Sequence, residues 1–319
     1  MKRKIVKHGS ATLTVSLPAK WARKYQIKQG DEVDVEEKDS NIIVSTQTKT
    51  KETSKKIIDI SGLTSSLVWR KMFAAYTNGF EEIEVRFDNP LIPYSGTREE
   101  HKQGELIDVH KILDKIANNL IGFEIVNQTQ NKCIFKELSK PKEKEFESAL
   151  KRIFFLLKEN TKELEFMLKN KDMPLFETIR LRETTINKFA NLCIRLLKIQ
   201  KKSLFPLYHL LFLLEQLGDE LFKISRYLKI HGLNPAKPIQ AVLKKLSEIY
   251  DTLYDLFFKN ISPKDFYLHY IMNFEKILKN TKISTSLSVY FDNIISIMKD
   301  LVLYKMEIEL EEKELQSSF

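Results

Sequence analysis

The 319-residue chain is 43% hydrophobic and 30% charged, enough apolar material for packed cores and more length than one small domain needs, so two or three domains are expected. Lys and Arg number 52 against 43 Asp and Glu, a net charge of +9, which favours polyanionic partners or membrane surfaces. Cys133 and Cys193 stand in no metal-ligand spacing, which argues against a disulfide framework or zinc ribbon, and neither a charge-free apolar run of about 18 residues nor a signal peptide is found; a soluble cytoplasmic protein is expected.

Residues 1–47 read as short strands: KIVKHG, then ATLTVSL with Leu13, Val15 and Leu17 at period two, then EVDVEE and NIIVST with a turn at KDSN. Between them Pro18 opens a short helix to Tyr25, the proline suiting the first helical position because it lacks a donor that would be unpaired there. The charge pattern is local. The first 28 residues carry eight Lys or Arg and no acid, whereas Asp31 to Asp39 places six acids in nine positions. Lys20, Arg23 and Lys24 are three and four apart and share a helix face, leaving Trp21 and Tyr25 to pack back on the strands.

The stretch KHGSATLTVSLPAKWARKYQIKQGDEVDVEEKDSNIIV resembles the AbrB/SpoVT/MazE swapped-hairpin DNA-binding domain, in which a Gly-Ser precedes a strand, that strand ends in an LPxxW-like turn, and a GD-V-V pattern opens the next hairpin. The resemblance implies that two chains interleave their hairpins into one β-barrel. It also implies that the dimer presents its basic surface to double-stranded DNA, through Lys2, Arg3, Lys4, Lys7, Lys20, Arg23 and Lys24. A segment of fewer than 50 residues buries too little surface to be stable alone, which agrees with a homodimer.

After TKTKETSKK, polar and free of aromatics, which reads as a linker or a solvated strand end, a second unit opens with the strand KIIDISG, a helix from about Ser65 to Asn78 and the strand FEEIEVRF. The irregular DNPLIPYSGTREEHKQG follows, then a helix from Glu105 to Leu120 and a hairpin turning at TQNK. The order βαβαββ predicts a small α+β domain. This part is similar to the segment that joins an AbrB-type domain to a PhoU-type domain in archaeal phosphate uptake regulators, and it reads as scaffold.

From Lys142 the apolar spacing becomes helical. Breaks at Lys171–Pro174, Lys202–Pro206, His231–Pro238, Asn260–Pro263 and Lys279–Ser284 define six helices in two sets of three. RETTINKFANLCIRLL and LLEQLGDELFKISRYL resemble the PhoU fold, an all-α bundle of two three-helix repeats. That family's acid pairs at i, i+4 imply a site for zinc or iron, carried here by Glu183, Glu215 and Asp219. Asn187 stands where a further acid is expected, and the second repeat offers only Asp292 and Asp300.

The expected architecture is therefore a multi-domain α and β protein. It comprises an AbrB-like domain at 1–48, an α+β domain at 55–138 and a PhoU-like helical domain at 141–319. The six histidines form no ligand pair, and no phosphate loop, nucleophile elbow or paired-cysteine motif occurs, so an enzyme is not expected. The leading expectation is a dimeric DNA-binding transcriptional regulator of phosphate uptake. Its rivals are a signalling adaptor docking a phosphate transporter or kinase, with the barrel serving dimerisation, and an antitoxin-like module.

Overall fold

A computed structural model describes residues 2–9, 12–38, 41–46, 54–96, 101–142, 145–200, 205–232, 237–259 and 261–317. The chain forms two compact units, Met1–Thr53 and Ser54–Phe319. Of the stretch TKTKETSKK, residues 48–53 lie outside the described residues, and its last two, Lys55 and Lys56, belong to a strand, Lys55–Asp59.

In the first unit β1 (Ile5–His8) pairs antiparallel with β2 (Thr12–Val15), and β3 (Val33–Lys38) with β4 (Asn41–Thr46). Between the hairpins lies α1 (Ala19–Lys24). The turn expected at KDSN falls between β3 and β4, with Asp39 and Ser40 outside the described residues. Pro18 is extended (φ −62°, ψ 123°) and sits one position before the first helical residue rather than in it. Its carbonyl accepts the opening helical bond from Ala22 N at 2.9 Å. At the other end Gln26 adopts φ 55°, Ile27 N donates to Ala22 O and Gln26 N to Arg23 O, the paired bonds that close a helix in a left-handed turn.

The second unit holds two apolar cores. The first belongs to a four-stranded sheet of order β5–β6–β10–β9, made of β5 (Lys55–Asp59), β6 (Glu82–Arg86), β9 (Phe123–Thr129) and β10 (Lys132–Glu137). The β5–β6 pair is parallel and the others antiparallel. Their crossover is α2 (Ser65–Thr77), as parallel neighbours require. Val68, Met72 and Tyr76 of α2 are fully buried with Ile83, Val85, Cys133 and Phe135 of the sheet.

The stretch expected to be irregular contains a small antiparallel ribbon of β7 (Leu91–Pro93) and β8 (Leu106–Asp108). The helix expected from Glu105 begins later, as α3 (Val109–Ala117), because Asp108 caps it by accepting from His110 N at 2.8 Å. Leu106 and Ile107 are apolar at spacings that also fit the helix, but their backbone pairs with β7 instead.

Six helical stretches follow: α4 (Glu145–Asn170), α5 (Leu175–Ile199), α6 (Phe205–His231), α7 (Lys237–Phe258), a continuous run of α8 (Pro263–Phe266), a π turn (Tyr267–Ile271) and α9 (Met272–Lys279), and α10 (Thr285–Ser317). The boundaries match the expected breaks, although residues 201–204, 233–236 and Asn260 lie outside the described residues. The helices share a second core from Ala149 to Val302. A Cβ on Gly218 of α6 would stand 3.3 Å from Ile186 Cδ1 of α5, so this glycine permits a close approach of the two helices.

The helical part does not stand apart from the sheet. Arg195 of α5 is fully buried, donates to Tyr76 O at 2.6 Å and to Glu137 Oε1 at 2.9 Å, and lies 4.9 Å from the ring centroids of both Tyr76 and Phe123. A buried guanidinium is tolerated because a carboxylate, a carbonyl and two π faces replace its water. Nearby, Lys188 Nζ donates to Asn118 O at 2.6 Å.

Candidate functional site

The first unit's basic residues come from three places: the leading segment (Lys2, Arg3, Lys4), strand β1 (Lys7) and helix α1 (Lys20, Arg23, Lys24). All seven are exposed. Arg3 Nη1 donates to Ser16 Oγ at 3.4 Å, tying the leading segment to the end of β2. Lys24 Nζ lies 5.3 Å from the Tyr25 ring. Among the described residues Lys2, Lys4, Lys7, Lys20 and Arg23 have no ion-pair partner, so their charge is available to an outside anion.

Register separates one of them from the rest. Lys7 lies directly across from Leu13, and Ile5 across from Val15, so Lys7 shares the apolar face of this hairpin. Tyr25 also departs from expectation: it remains 48% exposed and stacks at a tilt on half-buried Trp21, with centroids 5.6 Å apart, instead of packing on the strands. Asp31, Glu32, Asp34 and Glu37 are exposed along and before β3.

The apolar side chains of this unit are open. Leu13 is 67% exposed, Ile5 66% and Ile42 70%, and no described residue of the unit is buried. Two hairpins with uncovered apolar faces cannot hold a fold by themselves.

The three acids expected to bind metal do converge across α5 and α6. Glu183 is buried; its Oε1 accepts from Asn187 Nδ2 at 2.7 Å, its Oε2 from Thr184 Oγ1 at 3.3 Å, and it hydrogen-bonds Asp219. Burial, then the charges of Asp219 and Glu183, push the Glu215 carboxyl up to about 7, against the pull of Arg70. Burial also raises Asp219, opposed by Lys223.

As a metal site this donor set does not fit. Both Glu183 oxygens already hold hydrogen bonds, the amide of Asn187 replaces an anionic ligand, and the described residues contain no group of three or more His, Cys, Asp or Glu placed to hold an ion. Asp292 and Asp300 are exposed on α10. Cys133 and Cys193 are buried thiols, raised by desolvation to about 11 and about 12, unsuited to nucleophilic chemistry.

Sequence reasoning missed a cavity of about 980 Å³ in the second unit, bounded by α2, the β7–β8 ribbon, α3, α5 and α6. Glu215 and Asn187 line it, so an expected metal ligand and its neutral neighbour are cavity residues. The only signal for it in the sequence was the irregular stretch that holds Tyr94 and Ser95.

The first unit is thus a strand-rich element with an exposed cationic helix and uncovered apolar hairpins. A family model described as antidote-toxin recognition MazE, bacterial antitoxin, matches residues 6–54, which spans this element. No curated protein and no solved structure matches the chain. No helix among the described residues is long and apolar enough to cross a membrane.

Proposed function

We propose that the chain is a DNA-binding transcriptional regulator that acts as a homodimer through its first unit. The observation that carries this reading is the acid-free, exposed set of cations on the leading segment and α1, the latter within the region that matches the MazE family model. Grouped Lys and Arg on a small unit supply the phosphate contacts that dominate affinity for a duplex. The open faces around Leu13 and Ile42 support the dimer: a second copy interleaving its hairpins would cover them and close the swapped β-barrel. The finer reading, a regulator of phosphate uptake, is supported by the resemblance of the six helices to a PhoU-like bundle and by their two sets of three.

The experiment is a duplex-binding titration at several salt concentrations with the full chain. Replacing Arg23 and Lys24 together by Ala lowers affinity for every duplex and flattens the slope of log K against log salt by about 0.9 for each phosphate that is no longer neutralised. An unchanged slope overturns the assignment.

A second reading, a signalling adaptor whose barrel only dimerises, is favoured by the exposed Tyr208 and Phe212 on α6 and Leu303 on α10, beside the stacked His209–Tyr304 pair. A dimer that binds no duplex selects it.

A further inference from the structure

The cavity between the sheet and the helices has walls of different chemistry. On one side Trp69 and Phe73 of α2 are stacked, with centroids 5.5 Å apart and planes at 23°; they pack on the sheet core and turn part of their surface to the cavity. At the rim stand Arg70 of α2 and Lys111 of α3, both exposed and without an ion-pair partner among the described residues. The floor, from α5 and α6, holds Asn187 and Glu215.

Much of the polar lining is already satisfied within the protein. Glu105 accepts from Lys102 N at 2.9 Å, with His101 Nδ1 at 3.1 Å, and Asp108 caps α3. Ser95 closes the first turn of α2: its backbone N donates to Ser65 Oγ at 2.9 Å, and its Oγ accepts from Ser66 N. Three features are left over. Glu215, on the cavity floor, holds no hydrogen bond among the described residues, an acceptor that lacks a donor. Lys111 lacks an anion, Arg70 has only the charge of the Glu215 carboxyl to answer it, and the aromatic pair lacks a cover on its cavity side.

We propose that this cavity binds a small anion built on a flat ring that carries hydrogen-bond donors, the chemistry of a nucleoside monophosphate. The ring lies against Trp69, its N–H groups reach the floor acceptor Glu215, and its phosphate meets Arg70 and Lys111. Each part of such a ligand answers one unsatisfied feature, whereas inorganic phosphate would answer only the rim and a neutral aromatic only the wall. The volume lies at the upper end of the roughly 300–1,000 Å³ typical of small-molecule sites. This site is independent of the duplex-binding reading, because it lies wholly within the second unit.

The sequence provides its own reporter. Trp21 and Trp69 are the two tryptophans of the chain, so the full-length Trp21→Phe variant leaves Trp69 as the sole indole. Titrating it with AMP, GMP, CMP and UMP is expected to give saturable quenching with at least one of them. The matching nucleoside binds about tenfold or more weakly, as does the nucleotide to Arg70→Ala or Lys111→Ala, since each change removes a charged hydrogen bond. Both residues are exposed, and a circular dichroism spectrum matching that of Trp21→Phe verifies the fold. Three results would overturn the proposal: no saturation with any of the four up to about 10 mM, where a site would be too weak to matter; nucleoside and nucleotide binding equally, with both cation variants silent; or inorganic phosphate competing as well as the nucleotide.

Discussion

The two units solve the problem of burial in opposite ways. Residues 54–319 enclose two apolar cores, with Ile60, Val68, Tyr76, Leu164, Leu214 and Phe291 at or below 1% exposure, joined by the buried Arg195 and by Lys188. The described residues of 1–53 bury nothing by themselves, although β2 and the start of β3 alternate apolar and polar residues. Alternation shows that a face is meant to be covered; it does not say by what. In the second unit the cover lies in the same chain, and in the first a second copy is the natural candidate.

Arg195 is where this contrast breaks most forcefully. Replacing it by Ala leaves the buried Glu137 carboxyl without its partner and frees the Tyr76 carbonyl, and breaking such a pair costs about 3–5 kcal/mol. Chemical denaturation is expected to show that loss in the second unit, with dimerisation through the first unit unaltered. A loss below about 1 kcal/mol would mean the sheet and helices are joined chiefly by other groups.

Leu13→Asp tests the opposite side. Burial of a leucine is worth about 1.5–3 kcal/mol, and a twofold interface counts it twice. The dimer is therefore expected to weaken by at least about a hundredfold in analytical ultracentrifugation, with the main unfolding transition of the second unit unmoved. A variant that stays dimeric at the same concentration would place the dimer interface elsewhere.

The smallest effect is expected at Glu215. Its folded pKa of about 7 lies above the ordinary carboxylate value of 4.5, so between these values the folded chain holds a proton that the unfolded chain has lost, and stability falls as pH rises through that window. Glu215→Gln removes the ionising group from the neighbourhood of Asp219, Glu183 and Arg70. It is expected to stabilise the protein by about 1–3 kcal/mol at pH 8, with the gain gone by pH 4.5. A gain independent of pH would assign the effect to packing.

Local signals located most elements accurately. The helix from Ser65, the hairpin after Gly122 and the six helical stretches all follow from apolar spacing and from Pro, Gly and Asn breaks, which act within a few residues. The misplaced start of α3 shows the limit: Leu106 and Ile107 suit either helix or strand, and only the pairing partner Leu91–Pro93 decides. The cationic helix was legible because eight like charges without an acid is a property of composition. The convergence of Glu183, Glu215 and Asp219 was legible in part, from i, i+4 spacing, but the place of Glu215 in a cavity wall instead of a metal site was not.

By itself, then, the sequence determined the kinds of element, their order and the one-sided charge of the first unit, because each depends on neighbours along the chain. Tertiary structure alone decided that Arg195 is buried, since its partners Tyr76 and Glu137 lie 119 and 58 residues away. It alone gathered Trp69, Lys111, Asn187 and Glu215 around one cavity. Burial and desolvation arise from what folds over a residue, and for these residues the covering groups come from distant parts of the chain.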